Sequence, residues 1–173
     1  MKGDYRDLHD SYSLGLPYPK IKVYDKNSIY ADLIKKNYTG EVSELTAITQ
    51  YTYHQLITSD YIKNALRGIA MAEMHHLEIL GELLIALGEN PTFLLRKKNK
   101  YLYWSSKFIS KDICLKEILL ADIKSEKEAI EQYRNTANQI NDENIIAIIN
   151  RIILDEELHI KILSNLYEKE IGK

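Results

Sequence analysis

Glu44-Leu45-Thr46-Ala47-Ile48-Thr49-Gln50-Tyr51 followed by Glu73-Met74-His75-His76, and Glu126-Lys127-Glu128-Ala129-Ile130-Glu131-Gln132-Tyr133 followed by Asp155-Glu156-Glu157-Leu158-His159, decide the fold of this chain. Each Glu-x-x-His places a carboxylate and an imidazole on one face of a helix, where both reach the same metal ion. Each lone Glu has a tyrosine seven residues later, Tyr51 and Tyr133. Seven residues is two helical turns, so Glu and Tyr share a face. Glu44 precedes Glu73 by 29 residues and Glu126 precedes Glu156 by 30. The chain therefore reads as two copies of one helical hairpin.

Working outward, the spacing predicts a first helix from the capping pair Asn27-Ser28 to about Thr58, with Gly40 as the point where it bends or breaks. A second runs from about Tyr61 to Leu87, and Gly88 stops it. Ser110 is the expected cap of a third, from about Lys111 to Ile140. Asn141-Asp142 makes a turn, and a fourth follows from about Glu143 to Glu170. Apolar residues recur at three- and four-residue spacing along all four. Residues 89–109 must then carry the chain back along the bundle. Some 20 extended residues reach roughly 65 Å, ample for a bundle about 40 Å long. The expected fold class is all-α: a four-helix bundle of two antiparallel helical hairpins joined by a long crossover. Residues 1–27, with Gly15, Pro17 and Pro19, are expected to form an extended N-terminal arm. Residues 28–173 are expected to form a single domain.

Depth within the bundle selects the ligands. Counted from the turns near 59–60 and 141, Glu44, Glu73/His76, Glu126 and Glu156/His159 all fall about 15 residues away. Equal counts in antiparallel neighbours mean equal height. Glu41 shares the face of Glu44 but sits one turn off level, and Glu128 points to the opposite side from Glu126. The candidate metal ligands are Glu44, Glu73, His76, Glu126, Glu156 and His159. Two lone Glu and two Glu-x-x-His are the set that dinuclear carboxylate bundles use. His54 and His75 read as packing or surface histidines.

Composition narrows the partners. The 173 residues carry a formal net charge of −2, which gives no global field for nucleic acid. The basic-aromatic run Arg96–Trp104 reads as a solvated loop with its aromatics tucked against the bundle. The single cysteine, Cys114, excludes an internal disulfide framework and agrees with a cytoplasmic setting. No apolar run is long enough to span a bilayer. Neither nucleic acid nor membrane is an expected partner.

The segments Glu44–Tyr51, Glu73–His76 and Asp155–Ile160 resemble the ligand segments of bacterioferritins. The arm Leu16-Pro17-Tyr18-Pro19, with Val23, Tyr30, Ala31 and Leu33, is more similar to manganese catalases and related spore-coat proteins. The resemblance spans about residues 16–165 and identifies the ferritin-like di-metal carboxylate superfamily. A rubrerythrin with an additional cysteine-ligated iron domain would need more than one cysteine. Met74 matches the haem-ligating methionine of bacterioferritins, but it lies 100° round the helix from Glu73; we read it as filling an interface or core gap, and haem is not expected.

What the resemblance implies is a ferritin-like bundle holding two Fe or two Mn ions. Glu73 and Glu156 would bridge them. Glu44 and Glu126 would be terminal, and His76 and His159 would complete one ion each. Asp155 would hold the far nitrogen of a ligand histidine; its repeat counterpart is Ala72. Tyr51 and Tyr133 either hydrogen-bond terminal carboxylates, relay electrons or pack as core tyrosines. The implied function is a dinuclear oxidoreductase acting on H2O2 or O2, peroxidase- or catalase-like, serving oxidative-stress defence. It would use an electron donor the sequence does not identify, in a homo-oligomer, expected to be a dimer. The alternatives are a ferroxidase or iron-binding protein without sustained turnover, and a non-enzymatic spore-coat or shell component.

Overall fold

The computed structural model describes residues 12–97 and 100–172. Residues 1–11 of the expected arm, and Lys98 and Asn99 of the basic run, lie outside them. The elements are α1 (Ser28–Thr39), α2 (Glu44–Ile57), α3 (Asp60–Ala86), β1 (Leu94–Lys97), β2 (Lys100–Tyr103), a short 3-10 turn (Ser106–Phe108), α4 (Leu115–Ala137) and α5 (Glu143–Ile171). The helices form the bundle that the periodicity predicts. α1 and α2 run in succession as its first rod; α3, α4 and α5 are the other three.

The first rod is broken, and local chemistry explains where. Asn27 caps α1 by accepting hydrogen bonds from Ile29 N and Tyr30 N, both 3.0 Å, worth about 1 kcal/mol. Gly40 leaves the helical region (ψ −169°). Ser43 then caps α2, accepting from Thr46 N at 3.3 Å while its hydroxyl donates to the Gly40 carbonyl at 2.8 Å. From α4, Gln132 Nε2 donates to the Val42 carbonyl, which the break would otherwise leave unpaired. The break makes Glu44 the first residue of α2.

The other boundaries hold except at the two ends of α4. α3 ends near Gly88, whose φ of +89° is the left-handed conformation that glycine adopts freely. α4 begins at Leu115, not near Lys111. Ser110 does not cap it, since Cys114 stands at the cap position; the Ser110 N–H instead donates to Gln50 Oε1 at 2.8 Å, tying the crossover to α2. α4 also stops at Ala137, short of Ile140, because the next N–H groups close tight turns onto Thr136 and Ala137.

The crossover is more ordered than an extended loop. β1 and β2 pair antiparallel, Leu94 opposite Tyr103. Lys35 Nζ donates to the Asn90 carbonyl at 2.8 Å, and Phe93 stacks on Tyr38 with centroids 5.2 Å apart. Trp104 Nε1 donates to Thr46 Oγ1 at 2.9 Å. Of the run's aromatics, then, Trp104 docks on the bundle, whereas Tyr101 and Tyr103 stay exposed.

The buried apolar residues form two clusters. One joins Leu80, Leu83 and Leu84 of α3 to Ile145, Ile148, Ile149 and Ile152 of α5, near the second hairpin's turn. The other joins Tyr51, Ile62, Leu66 and Ile69 to Leu119 and Leu163, near the first hairpin's turn. The hairpins thus point in opposite directions, and the clusters close the two ends. Each fully buried Leu or Ile contributes roughly 1.5–3 kcal/mol. That stabilisation supports the polar layer between them. Among the described residues, no helix is long and apolar enough to cross a membrane.

Candidate metal centre

The polar layer holds all six residues that depth counting selects. Glu44, Glu73, His76, Glu126, Glu156 and His159 are each at most 3% exposed. His76 Nδ1 lies 3.0 Å from Glu73 Oε2, 3.3 Å from Glu156 Oε1 and 3.7 Å from Glu44 Oε2. His159 Nδ1 lies 3.0 Å from Glu156 Oε2, 3.1 Å from Glu73 Oε1 and 3.7 Å from Glu126 Oε1. Each imidazole therefore faces one oxygen of Glu73, one of Glu156 and one of a lone Glu. Two groups result: Glu44, Glu73, His76 and Glu156; and Glu73, Glu126, Glu156 and His159. In each, the four donor atoms lie within 4.8 Å of one another. Glu73 and Glu156 belong to both.

The tyrosines cross over. Tyr51 donates to Glu126, and Tyr133 donates to Glu44, so each hairpin's tyrosine holds the other hairpin's lone carboxylate. Both phenols titrate well above their ordinary value, chiefly because they are buried and then because those carboxylates lie beside them.

Each histidine's far nitrogen is also held, differently on the two sides. Asp155 serves His76: its Oδ2 lies 3.3 Å from Nε2, and the Tyr18 hydroxyl lies 3.1 Å from the same nitrogen. Tyr18 in turn donates to Asp155. Asp155 Oδ1 accepts from Leu14 N at 2.7 Å and pairs with Arg151 Nη1 at 2.8 Å. On the other side, His159 Nε2 meets the Tyr12 carbonyl at 2.9 Å. Arg151 fixes the arm by donating to the Leu14 and Leu16 carbonyls at 2.7–3.1 Å. The arm therefore closes the histidine face of the cluster.

Tyr12, Tyr18 and Arg151 have no counterpart in the motif reading. Arg151 left one signal, an arginine one turn before Asp155 within an apolar stripe, where a buried charge demands a partner. A second buried set stands nearby. His54 Nδ1 lies 2.8 Å from Asp122 Oδ1, and Gln50 Nε2 donates to the same oxygen at 2.8 Å. His54 is thus a packing histidine between α2 and α4. Met74 is half exposed on α3.

The electrostatics of the cluster are those of a cation site. Burial, then Glu73 and Glu156, push Glu44 and Glu126 well above the carboxylate range. Burial also pushes Glu73 upward, but His159 and His76 outweigh it and hold Glu73 well below. Burial alone would depress the histidines; Glu156 and Asp155 raise His76 well above its ordinary value, and Glu73 and Glu156 raise His159. Glu73 Oε1 is fully buried and faces His159 Nδ1 at 3.1 Å. Four carboxylates buried in one layer cost several kcal/mol unless cations meet them. Carboxylate and imidazole donors suit Fe or Mn, and the absence of thiolate among them argues against a structural zinc site.

The layer opens on its carboxylate side. A cavity of about 710 Å³ between α2 and α4 reaches Glu44, Glu73, Glu126, Glu156 and Tyr133. Neither His76 nor His159 lines it. The cluster thus has an open carboxylate face and a histidine face sealed by the arm.

The rubrerythrin family model matches residues 32–167 of the chain. No curated protein matches it. Among solved structures, a manganese catalase from Anabaena superposes with a TM-score of 0.82 at 22% identity, over 92% of this chain and 80% of that one. A bacterioferritin from Rhodobacter capsulatus, described with a metal-free dinuclear site and haem iron, gives 0.68 at 21% identity, over 84% and 87%. A dodecameric thioferritin from Bacteroides fragilis gives 0.61 at 21% identity, over 99% and 89%. At these identities the likeness is one of fold.

Proposed function

This chain belongs to the rubrerythrin family, and from that premise we propose that it is a dinuclear Fe or Mn oxidoreductase that reacts with hydrogen peroxide or O2. The observation that carries the reading is the pair of four-donor groups sharing Glu73 and Glu156. In it, Glu73 and Glu156 would be shared by two ions. Glu44 and Glu126 would hold one each, and His76 and His159 would complete each set through Nδ1. When bound, such a pair supplies or accepts two electrons at the O–O bond.

The chain's own residues do the rest. Tyr51 and Tyr133 orient the terminal carboxylates. Asp155 and the Tyr12 carbonyl fix the far nitrogen of each histidine, so that Nδ1 points inward. The arm excludes water from the histidine face, and substrate arrives on the carboxylate face. The setting we propose is a cytoplasmic homodimer, with residues 28–173 as one domain and the preceding arm docked on it.

A second reading has one observation in its favour. Glu41, Asp112, Glu117 and Glu128 line the cavity, which suits entry of a cation and hence a ferroxidase that takes up and oxidises iron. Metal analysis of untagged protein tests both readings: about two Fe or Mn per chain is expected, and metal-free protein would sink them. Glu73→Ala is expected to abolish dinuclear loading. Sustained peroxide consumption then selects the oxidoreductase, whereas Fe²⁺ oxidation that stalls after one equivalent of sites selects the ferroxidase.

A further inference from the structure

The cavity over the carboxylate face is larger than hydrogen peroxide needs. Peroxide has two heavy atoms, whereas 710 Å³ falls within the roughly 300–1,000 Å³ typical of pockets for organic ligands. Its size has a structural origin. Ala121, Ser125 and Ala129 recur every four residues along α4, facing Ser43 and Ala47 of α2. Small side chains on both walls leave the space between the rods unfilled. Phe108 and Ile109 of the crossover form an apolar section of the wall. That segment is pinned, by Ser110 N to Gln50 Oε1 at 2.8 Å and Trp104 Nε1 to Thr46 Oγ1 at 2.9 Å.

The geometry points to a neutral organic hydroperoxide as a substrate of this site, its apolar group held between Phe108, Ile109 and the alanine wall and its O–O bond over the carboxylate face. The inference rests on the peroxide-reducing reading above. The class follows from the lining. Apolar and small residues accept a hydrocarbon group, and four acidic side chains against Lys111 and Lys124 disfavour an anionic one. The reduction balances as ROOH + 2e⁻ + 2H⁺ → ROH + H2O. The O–O bond breaks, one oxygen leaves as the alcohol and the other as water. Both electrons come from dithionite in the test, one S2O4²⁻ being oxidised to two bisulfite ions for each ROOH reduced.

Two measurements test it. In the first, metal-loaded full-length protein reduces H2O2 or cumene hydroperoxide, as wild type and as Ala121→Phe and Ala129→Leu, which fill the cavity. Wild type is expected to turn over both peroxides. The variants are expected to lose on the order of tenfold in kcat/KM for cumene hydroperoxide while changing less than about twofold for H2O2. In the second, metal-free wild type is titrated with cumyl alcohol, the unreactive product. Trp104 is the chain's one tryptophan and lies 6.5 Å from Phe108, ring centroid to centroid, so its emission is expected to change saturably. Wild type that reduces H2O2 but not cumene hydroperoxide overturns the inference and leaves the proposed function standing. Protein that reduces neither overturns both. Equal losses with both peroxides in the filled variants, or no Trp104 response, also overturn the inference.

Discussion

Asp155→Asn removes one charge and keeps the shape of the side chain, so its effect can be worked through bond by bond. Oδ1 accepts from Leu14 N and faces Arg151; Oδ2 faces Tyr18 and His76 Nε2. An asparagine must turn its NH2 toward one of these pairs. Toward Leu14 and Arg151, it sets donor against two donors. Toward the other pair, the Tyr18 hydroxyl can rotate and accept, but His76 Nε2 carries the proton whenever Nδ1 holds an ion. Either orientation also leaves Arg151, itself buried, without its counter-charge. Breaking a buried ion pair from one side costs about 3–5 kcal/mol. For a chain of this size that lowers Tm by roughly 6–20 °C, at about 2–4 °C per kcal/mol. Metal affinity is expected to fall about 10–100-fold, and only for the ion beside His76, because His159 depends on the Tyr12 carbonyl. Circular-dichroism melts and metal titration read both quantities. A variant melting within 2 °C of wild type (about the shift of 1 kcal/mol), or losing both ions together, would refute the reasoning.

Other outcomes are expected from the same geometry. Tyr51→Phe and Tyr133→Phe each leave a buried carboxylate without its donor, which should cost about 1–3 kcal/mol in urea unfolding. A substitution that stabilised the protein would argue against those bonds. Because His76 and His159 are raised well above 6.5, ion binding must displace their Nδ1 protons. Affinity should therefore rise with pH, by about one decade per unit for each proton released, and calorimetry in buffers of different ionisation enthalpy counts them. The sign for metal-free protein is the reverse. Stability drawn from raised histidines is present below 6.5 and declines as pH climbs through their folded values, and the raised Glu44 and Glu126 act in the same direction. A metal-free melting temperature that climbs from pH 6 to 8 would contradict this. Gly68→Ala would bring a Cβ within 2.1 Å of the Tyr12 ring. Despite the helix-propensity gain of up to about 1 kcal/mol, a net loss of about 1–2 kcal/mol is expected from overpacking. A higher Tm would mean that the ring does not cover Gly68.

Much of the site was legible because helices are periodic. Spacing of three, four and seven residues fixes which side chains share a face, and counting from turns fixes their height. Those two rules separated Glu44 from Glu41 and Glu126 from Glu128. Local chemistry was harder to read. Ser110 is a good capping residue and its Oγ does accept from Asp112 N at 3.2 Å, but that turn is not continued and the helix starts only at Leu115. Gly40 marked a weak point in the first rod, yet the break needed Ser43 and the distant Gln132 to satisfy it. The arm was least legible. Nothing periodic relates Tyr12 or Tyr18 to residues more than 50 positions away, so their bonds to His159 and His76 follow only from the folded chain.

The crossed tyrosines have a consequence for the symmetry of the chain. If each hairpin's phenol held its own glutamate, a hairpin would be a self-sufficient half. Instead Tyr51 reaches Glu126 and Tyr133 reaches Glu44, which is the exchange that two identical hairpins would make across a two-fold axis. The pairing thus has the pattern of an isologous dimer, with the two hairpins joined through the crossover. The two halves are not identical. Asp155 stands where the other half has Ala72, and Glu44 opens a helix where Glu126 sits inside one. The two halves therefore give their histidines different partners, Asp155 for His76 and the Tyr12 carbonyl for His159.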